Sequence, residues 1–180
     1  MRKILSLLFV FSITVIQFTN AQISLVNTLE TNMYDMSRFT NNDGSTGYVF
    51  PTSVVNVLKV YNSDFSLNRT ITLNVTNLQS IVEISRYNGY DLTIIGSTHL
   101  FNADDKLEFV VTMKDPSTNI LSFAIVNENS NILFTKSASD NSIYGFSFGI
   151  TASSTAYLMV GYEKSTYDNK TEVYSLPGSE

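Results

Sequence analysis

Few residues in this chain could do chemistry, and those few lie at turns. The densest acidic group is Asn102, Asp104, Asp105 and Glu108, with Lys106 in its middle. Oxygen ligands on a turn can hold calcium, but this run lacks the Asp-x-Asp-x-Asp-Gly spacing of a dedicated loop. The strand pattern that follows sets Glu108 on an outer face. A solvated turn with a charged edge is the preferred reading. The stretch from Asn41 to Gly47 is a second oxygen-rich loop. Asn41 and Asp43 could ligate calcium there, although Asp43-Gly44 is first of all a turn signal. Glycosidase chemistry needs two carboxylates facing one sugar. Asp91, Asp104, Glu108 and Glu163 are candidates, and nothing in their spacing pairs them. His99 is the single histidine. A Ser-His-Asp nucleophile would have to use it, and a multi-histidine metal site is impossible. It reads as a structural or surface residue. The chain has no cysteine, which excludes disulfides, thiolate chemistry and cysteine-based zinc sites. Tyr87, Tyr90, Tyr162 and Tyr167 lie near turns and could form a platform for sugars or peptides, with edge packing as the competing reading. No catalytic, cofactor-binding or metal residue is assigned, and no cofactor is expected.

The elements that would position these residues are strands. In Thr70 to Thr76, Ile71, Leu73 and Val75 alternate with polar residues. Successive strand side chains point to opposite faces, so the pattern describes a half-buried strand. Leu107, Phe109 and Val111 form one such face, and Tyr144, Phe146, Phe148 and Ile150 another. Val54 to Tyr61 is more continuously apolar and predicts a strand covered on both sides. Turn residues separate the runs at Asn62-Ser63-Asp64, Asn88-Gly89, Asn102 to Asp105, Asp115-Pro116-Ser117, Asn127 to Asn131 and Asp168-Asn169. No window has helical periodicity. The expected core includes Ile71, Leu73, Val75, Leu107, Phe109, Phe123, Ile125, Phe146 and Phe148.

A weak internal repeat sharpens the fold. Val60-Tyr61-Asn62-Ser63-Asp64 followed by Leu67 resembles Ile125-Val126-Asn127-Glu128-Asn129 followed by Ile132, and Glu172-Val173-Tyr174 echoes Lys59-Val60-Tyr61. Four successive strands surround the second copy: Asp91 to Gly96, Lys106 to Met113, Ile120 to Val126 and Asn131 to Thr135. The fold class is therefore all-β, with antiparallel four-stranded meanders in a propeller-blade-like array or a two-sheet sandwich. There is room for roughly three such units, fewer than a closed propeller uses.

The N-terminus has a secretory leader's layout: Arg2 and Lys3, an apolar run from Ile4 to Phe18, then Thr19-Asn20-Ala21 with small residues where a signal peptidase reads. The run is short for a membrane span. Cleavage after Ala21 leaves 159 residues with nine basic and 16 acidic side chains, a net charge of −7. That excess argues against nucleic acid and anionic membrane as partners. The divisions are a signal peptide over 1–21, an N-terminal segment with one short strand over 22–47, a β-repeat domain over 48–178, and a C-terminal end at 179–180.

Four stretches carry a family resemblance: the leader ending Thr19-Asn20-Ala21-Gln22, Lys59 to Leu67, Leu100 to Phe109, and Thr171 to Gly178. Together they resemble secreted surface proteins of flavobacteria and related Bacteroidetes that leave the cell through the type IX system. In such proteins a strand like Glu172 to Gly178 tends to precede a C-terminal sorting domain, and this sequence stops at Glu180. A truncated chain is one expectation. Closure of the last strand's edge by residues such as Met33 to Phe39 is the other. The resemblance implies no catalytic residue. In a bacterial protein the sequons headed by Asn68, Asn74 and Asn169 are chance. The functional expectation is a secreted, non-enzymatic binding or structural module of the cell surface or extracellular space. It would be soluble after signal cleavage and take a glycan or surface protein as partner. The alternative is a carbohydrate-active enzyme or its accessory carbohydrate-binding domain.

Overall fold

A computed structural model of the chain describes residues 25–29, 36–82, 84–87, 91–94, 96, 101, 104–138, 143, 145–151, 157–163 and 169–176, with backbone alone at 85–87 and 91–94. The described elements are all strands. In chain order they are β1 (Ser37–Thr40), β2 (Thr46–Pro51), β3 (Val57–Asn62), β4 (Leu67–Thr72), β5 (Leu78–Ile81), β6 (Ile84–Tyr87) and β7 (Asp91–Ile94). Then come β8 (Glu108–Lys114), β9 (Leu121–Asn127), β10 (Ile132–Ser137), β11 (Gly145–Thr151), β12 (Tyr157–Glu163) and β13 (Asn169–Ser175).

They form three sheets. The first is the meander β1-β2-β3-β4, the second runs β10-β9-β8-β5, and the third runs β13-β12-β11-β6-β7. Side-chain alternation decides how they stack. On β8, Val110 faces one core while Phe109 and Val111 face the other; on β9, Phe123 and Ile125 oppose Ala124 and Val126 in the same way. The first core is completed by Ile84, Phe148, Ile150, Leu158 and Val160 of the third sheet, and the second by Phe39, Val49, Leu58, Val60 and Ile71 of the first. The second sheet is thus the middle layer of three, with β8 and β9 buried on both faces and β10 largely exposed. β1 and β7, from the outer layers, approach each other, so the sheets fan like blades.

Several expectations need correction. The strand read from Val54 begins only at Val57: Val54 and Val55 sit exposed in a turn closed by the Val57 N–H donating to the Val54 carbonyl. The strands covered on both faces are β8 and β9 instead. The four-strand run of the second repeat is split between sheets. Asp91 to Ile94 pairs with β6 in the third sheet, and the place beside β8 is taken by β5. The reason lies at the end of β5. The Val82 N–H still donates to the Val110 carbonyl of the middle sheet, whereas Ile84 is already buried in the core against the third. The chain changes layers there, and β6 pairs in parallel with β11. A parallel pair needs a long crossover, and the meander β8-β9-β10 provides it. The boundary drawn at 47/48 runs through β2, and β1 belongs to the same sheet. β1 pairs with β2 and not with β13, so its residues do not close that edge; Met33 lies outside the described residues. Val75 and Phe146 are half-buried against the cores rather than within them.

The repeat has a structural counterpart. In Asn41 to Ser45, Asn62 to Ser66 and Asn127 to Asn131, the first N–H donates to the fifth carbonyl and the fourth N–H to the first carbonyl. The fourth residue is left-handed in each: Gly44 at φ 80°, Phe65 at 61° and Ser130 at 67°. This is the three-residue hairpin loop built on a type I turn. Glycine adopts it freely, while Phe65 and Ser130 each bear a cost of about 1–2 kcal/mol. The echo at Glu172 to Tyr174 does not hold: Lys59 to Tyr61 lies on an interior strand and Glu172 to Tyr174 on an outermost one.

Candidate functional site

Among the described residues, the strongest convergence of ionisable side chains lies where β10 and β13, outermost strands of the second and third sheets, come side by side. Lys170, Glu172 and Tyr174 alternate along β13 opposite Tyr162, Val160 and Leu158 of β12, so all three turn toward the second sheet. On β10 an extra residue, Leu133, interrupts the register between Ile132 and Phe134. A bulge re-aims the side chains after it. Here it puts Phe134 opposite Ile125 and Lys136 opposite Phe123, on the face that meets the third sheet.

Glu172 is the hub. Its Oε2 accepts a hydrogen bond from the Tyr162 hydroxyl at 2.5 Å and another from the Tyr174 hydroxyl, and it lies 2.8 Å from the Lys136 ammonium. Its Oε1 accepts from Lys170 Nζ at 3.0 Å. Hydrogen bonding from Lys136, then from Tyr162 and Tyr174, holds the Glu172 carboxyl far below the usual carboxylate range. Burial, with the bond to Glu172 second, pushes the Tyr162 phenol well above the ordinary tyrosine value. Lys136 sits 5.6 Å from the Tyr174 ring centre, and Lys170 5.8 Å from that of Tyr162. Beside this cluster Phe101, Ile125, Leu133, Phe134, Leu158 and Tyr174 line an apolar cleft of about 240 Å³. The arrangement holds a carboxylate between two phenols and two ammonium groups. It latches two sheet edges together.

The residues singled out from sequence are employed otherwise. Glu108 is not on an outer face. It is fully buried, and its Oε2 accepts the Phe101 N–H at 3.1 Å. It points inward because Phe109 must enter the opposite core and neighbours alternate. Asp104 accepts the Lys106 N–H at 2.8 Å and lies 3.6 Å from its ammonium, while Asp105 is exposed. Asn102 lies outside the described residues, and the members that are described do not converge. Asn41 and Asp43 close their own hairpin: Asn41 Nδ2 donates to Ser45 Oγ and Asp43 Oδ1 accepts the Ser45 N–H. The bonds from Ser45 lower the Asp43 carboxyl, and Ser66 and Ser117 do the same for Asp64 and Asp115. Glu163 is exposed at the end of β12. His99, Tyr90 and Tyr167, with the side chains of Tyr87 and Asp91, lie outside the described residues. Of the proposed tyrosine platform the structure describes only the side chain of Tyr162, which is buried.

Among the described residues no three metal-ligating side chains gather, and no helix is long and apolar enough to cross a membrane. Sequence reasoning missed the Glu172 cluster, whose members come from three strands. One local signal was present: a polar residue at every second position from Lys170 to Tyr174, on a strand whose other face is polar apart from Val173. Fold and site together define a three-layer all-β protein with a polar latch between two of its layers. No protein-family profile, curated protein or solved structure matches the chain.

Proposed function

We propose that this chain is an exported, non-enzymatic binding or structural module of the cell surface or extracellular space, carried out by the type IX route of flavobacteria and related Bacteroidetes. Export rests on the basic start, the apolar run and the small residues ending at Ala21. The observation that carries the module reading is how seven of the described carboxylates are used. Asp43, Asp64, Asp104 and Asp115 each accept backbone N–H bonds of their own turns. Glu108 accepts a buried N–H, and Glu128 and Glu172 tie neighbouring sheets together. These groups hold a scaffold in place. A second reading, the accessory carbohydrate-binding domain, draws on a cleft of about 380 Å³ whose lining includes Thr76, Asn77, Asp115, Thr118, Ser122 and Ser137. Hydroxyls and amides of that kind suit a hydroxyl-rich ligand.

The test has two arms. Protein recovered from the medium or cell surface should begin at Gln22, and an intact Met1 on cytoplasmic protein would overturn export. On glycan and surface-protein panels the protein should bind saturably without turnover. Polysaccharide cleavage abolished by Asp115→Asn would overturn the module reading in favour of an enzyme.

A further inference from the structure

Three of the six outermost strands, β4, β10 and β13, one from each sheet, do not end their sheets in the same way. β4 and β10 follow equivalent hairpin turns, and each carries one unpaired residue at the same distance past its turn. On β4 it is Asn68, between Arg69 opposite Val60 and Leu67 opposite Tyr61; on β10 it is Leu133. Bulges on edge strands twist the backbone and blunt its capacity to pair with another chain. β13 has none. Its seven residues run in unbroken register against β12, and among the described residues no strand pairs with its other edge. Val173 stands 61% exposed on its outward face. A regular, unblunted edge is the sheet's open pairing template.

We infer that β13 pairs antiparallel with β13 of a second copy of this chain, about a two-fold axis at Thr171. Charge complementarity selects a second copy as the occupant. With Thr171 opposite itself, Lys170 of each copy faces Glu172 of the other, and Asn169 faces Val173. Opposite charges and threonine pairs directly across an antiparallel ladder are favourable, and like charges are not. Moving the axis to Glu172 would set two carboxylates against each other. Lys170, 72% exposed in the single chain, lies 3.0 Å from its own Glu172 and can share its ammonium between that carboxylate and the partner's. The interface is isologous, so one strand supplies both halves. It joins two five-stranded sheets into one of ten strands. This inference is independent of the proposed module role.

Analytical ultracentrifugation of the purified exported protein across a wide concentration range should show a reversible monomer–dimer equilibrium. Lys170→Glu puts carboxylates opposite Glu172 twice and should weaken the dimer about tenfold. Circular dichroism should show this exposed-site variant folded. Because the chain has no cysteine, Thr171→Cys places the only thiol on the axis. It should form an intermolecular disulfide under mild oxidation, since directly opposed Cβ atoms lie about 4.5–5.5 Å apart. Ser175→Cys on the same strand should not. A monomer at every concentration would overturn the proposal. So would a dimer that ignores Lys170→Glu and fails to cross-link through position 171, since it would use another surface. A monomer whose β13 amides are protected only by an added extended peptide would assign the edge to a different partner and overturn it equally.

Discussion

At the scale of single residues, Glu172 does the most. One carboxylate satisfies two phenols and two ammonium groups, and the buried Tyr162 phenol in particular would be left partly desolvated without it. Removing the acceptor from such a set costs the desolvation of its partners as well as the bonds themselves. Glu172→Gln should therefore lower stability by about 2–4 kcal/mol at neutral pH, measured by urea denaturation. The pH dependence has a definite sign. The folded carboxyl titrates below its ordinary value of 4.5, so its contribution is fully present above that value and is lost as pH falls below it. The gap between wild type and Glu172→Gln should be constant from neutral pH to about pH 5 and shrink below that. A gap that widens on acidification would refute the assignment. Tyr162 gives the mirror case. Its phenol is held neutral by burial and by the bond to Glu172, so alkaline titration of the folded protein should leave this phenol out of the tyrosinate absorbance. Tyr162 should ionise only as the protein unfolds in alkali. Full ionisation of all tyrosines in the native protein would contradict the structure.

At the scale of elements, period two was the readable signal, and it placed Ile71, Leu73, Leu107, Phe109, Phe123, Ile125 and Phe148 in the interior, where they lie. The same signal failed where it was asked which sheet a strand joins. Nothing in Asp91 to Ile94 distinguishes a partner in the middle sheet from one in the third, because alternation fixes a strand's faces and not its neighbour. Glu108 was misread for a related reason. An alternating strand has a polar face only when that face meets water, and the second cover of β8 comes from residues dozens of positions away. The clue lay in the continuous apolar runs Phe109 to Val111 and Phe123 to Val126. The glutamate cluster was illegible because its geometry depends on a bulge at Leu133. These faces lead to two predictions. Phe109→Ala and Phe123→Ala should each cost about 3–5 kcal/mol. Because the two rings lie in different cores, the double mutant should be additive to about 0.5 kcal/mol in denaturant unfolding. Gly47 sits directly opposite Phe39, and a methyl group there would stand 2.2 Å from the ring. At Gly161 the corresponding neighbour is the hydroxyl of Ser147, which can rotate away. Gly47→Ala should cost about 1–3 kcal/mol through displacement of the ring, and Gly161→Ala distinctly less.

At the scale of the whole molecule, the layers are unequal. The middle sheet contributes to both cores, and each outer sheet contributes to one. Losing either outer sheet exposes one core, whereas losing the middle sheet exposes both. The layers are also pinned at their outer edges, by Arg69 with Glu128 at 2.7 Å between the first and second and by Lys136 with Glu172 at 2.8 Å between the second and third. The first pair is partly exposed and contributes about 0–1 kcal/mol; the second belongs to the satisfied network around Glu172. An architecture of stacked units held mainly by nearest-neighbour interfaces opens from its ends. Native-state hydrogen exchange should therefore find the slowest amides on β8 and β9, exchanging only with global unfolding. The amides of β1 and β2 should open at lower free energy. Glu172→Gln should lower the opening free energy of β12 and β13 while leaving β1 and β2 unchanged, because the latch joins only the second and third layers. Uniform protection across all three sheets would mean that the molecule opens as one cooperative unit, and the layered account of its stability would fail. Equal loss of protection in β1 and β2 would show that the latch acts on the whole stack and not on the seam where its side chains meet.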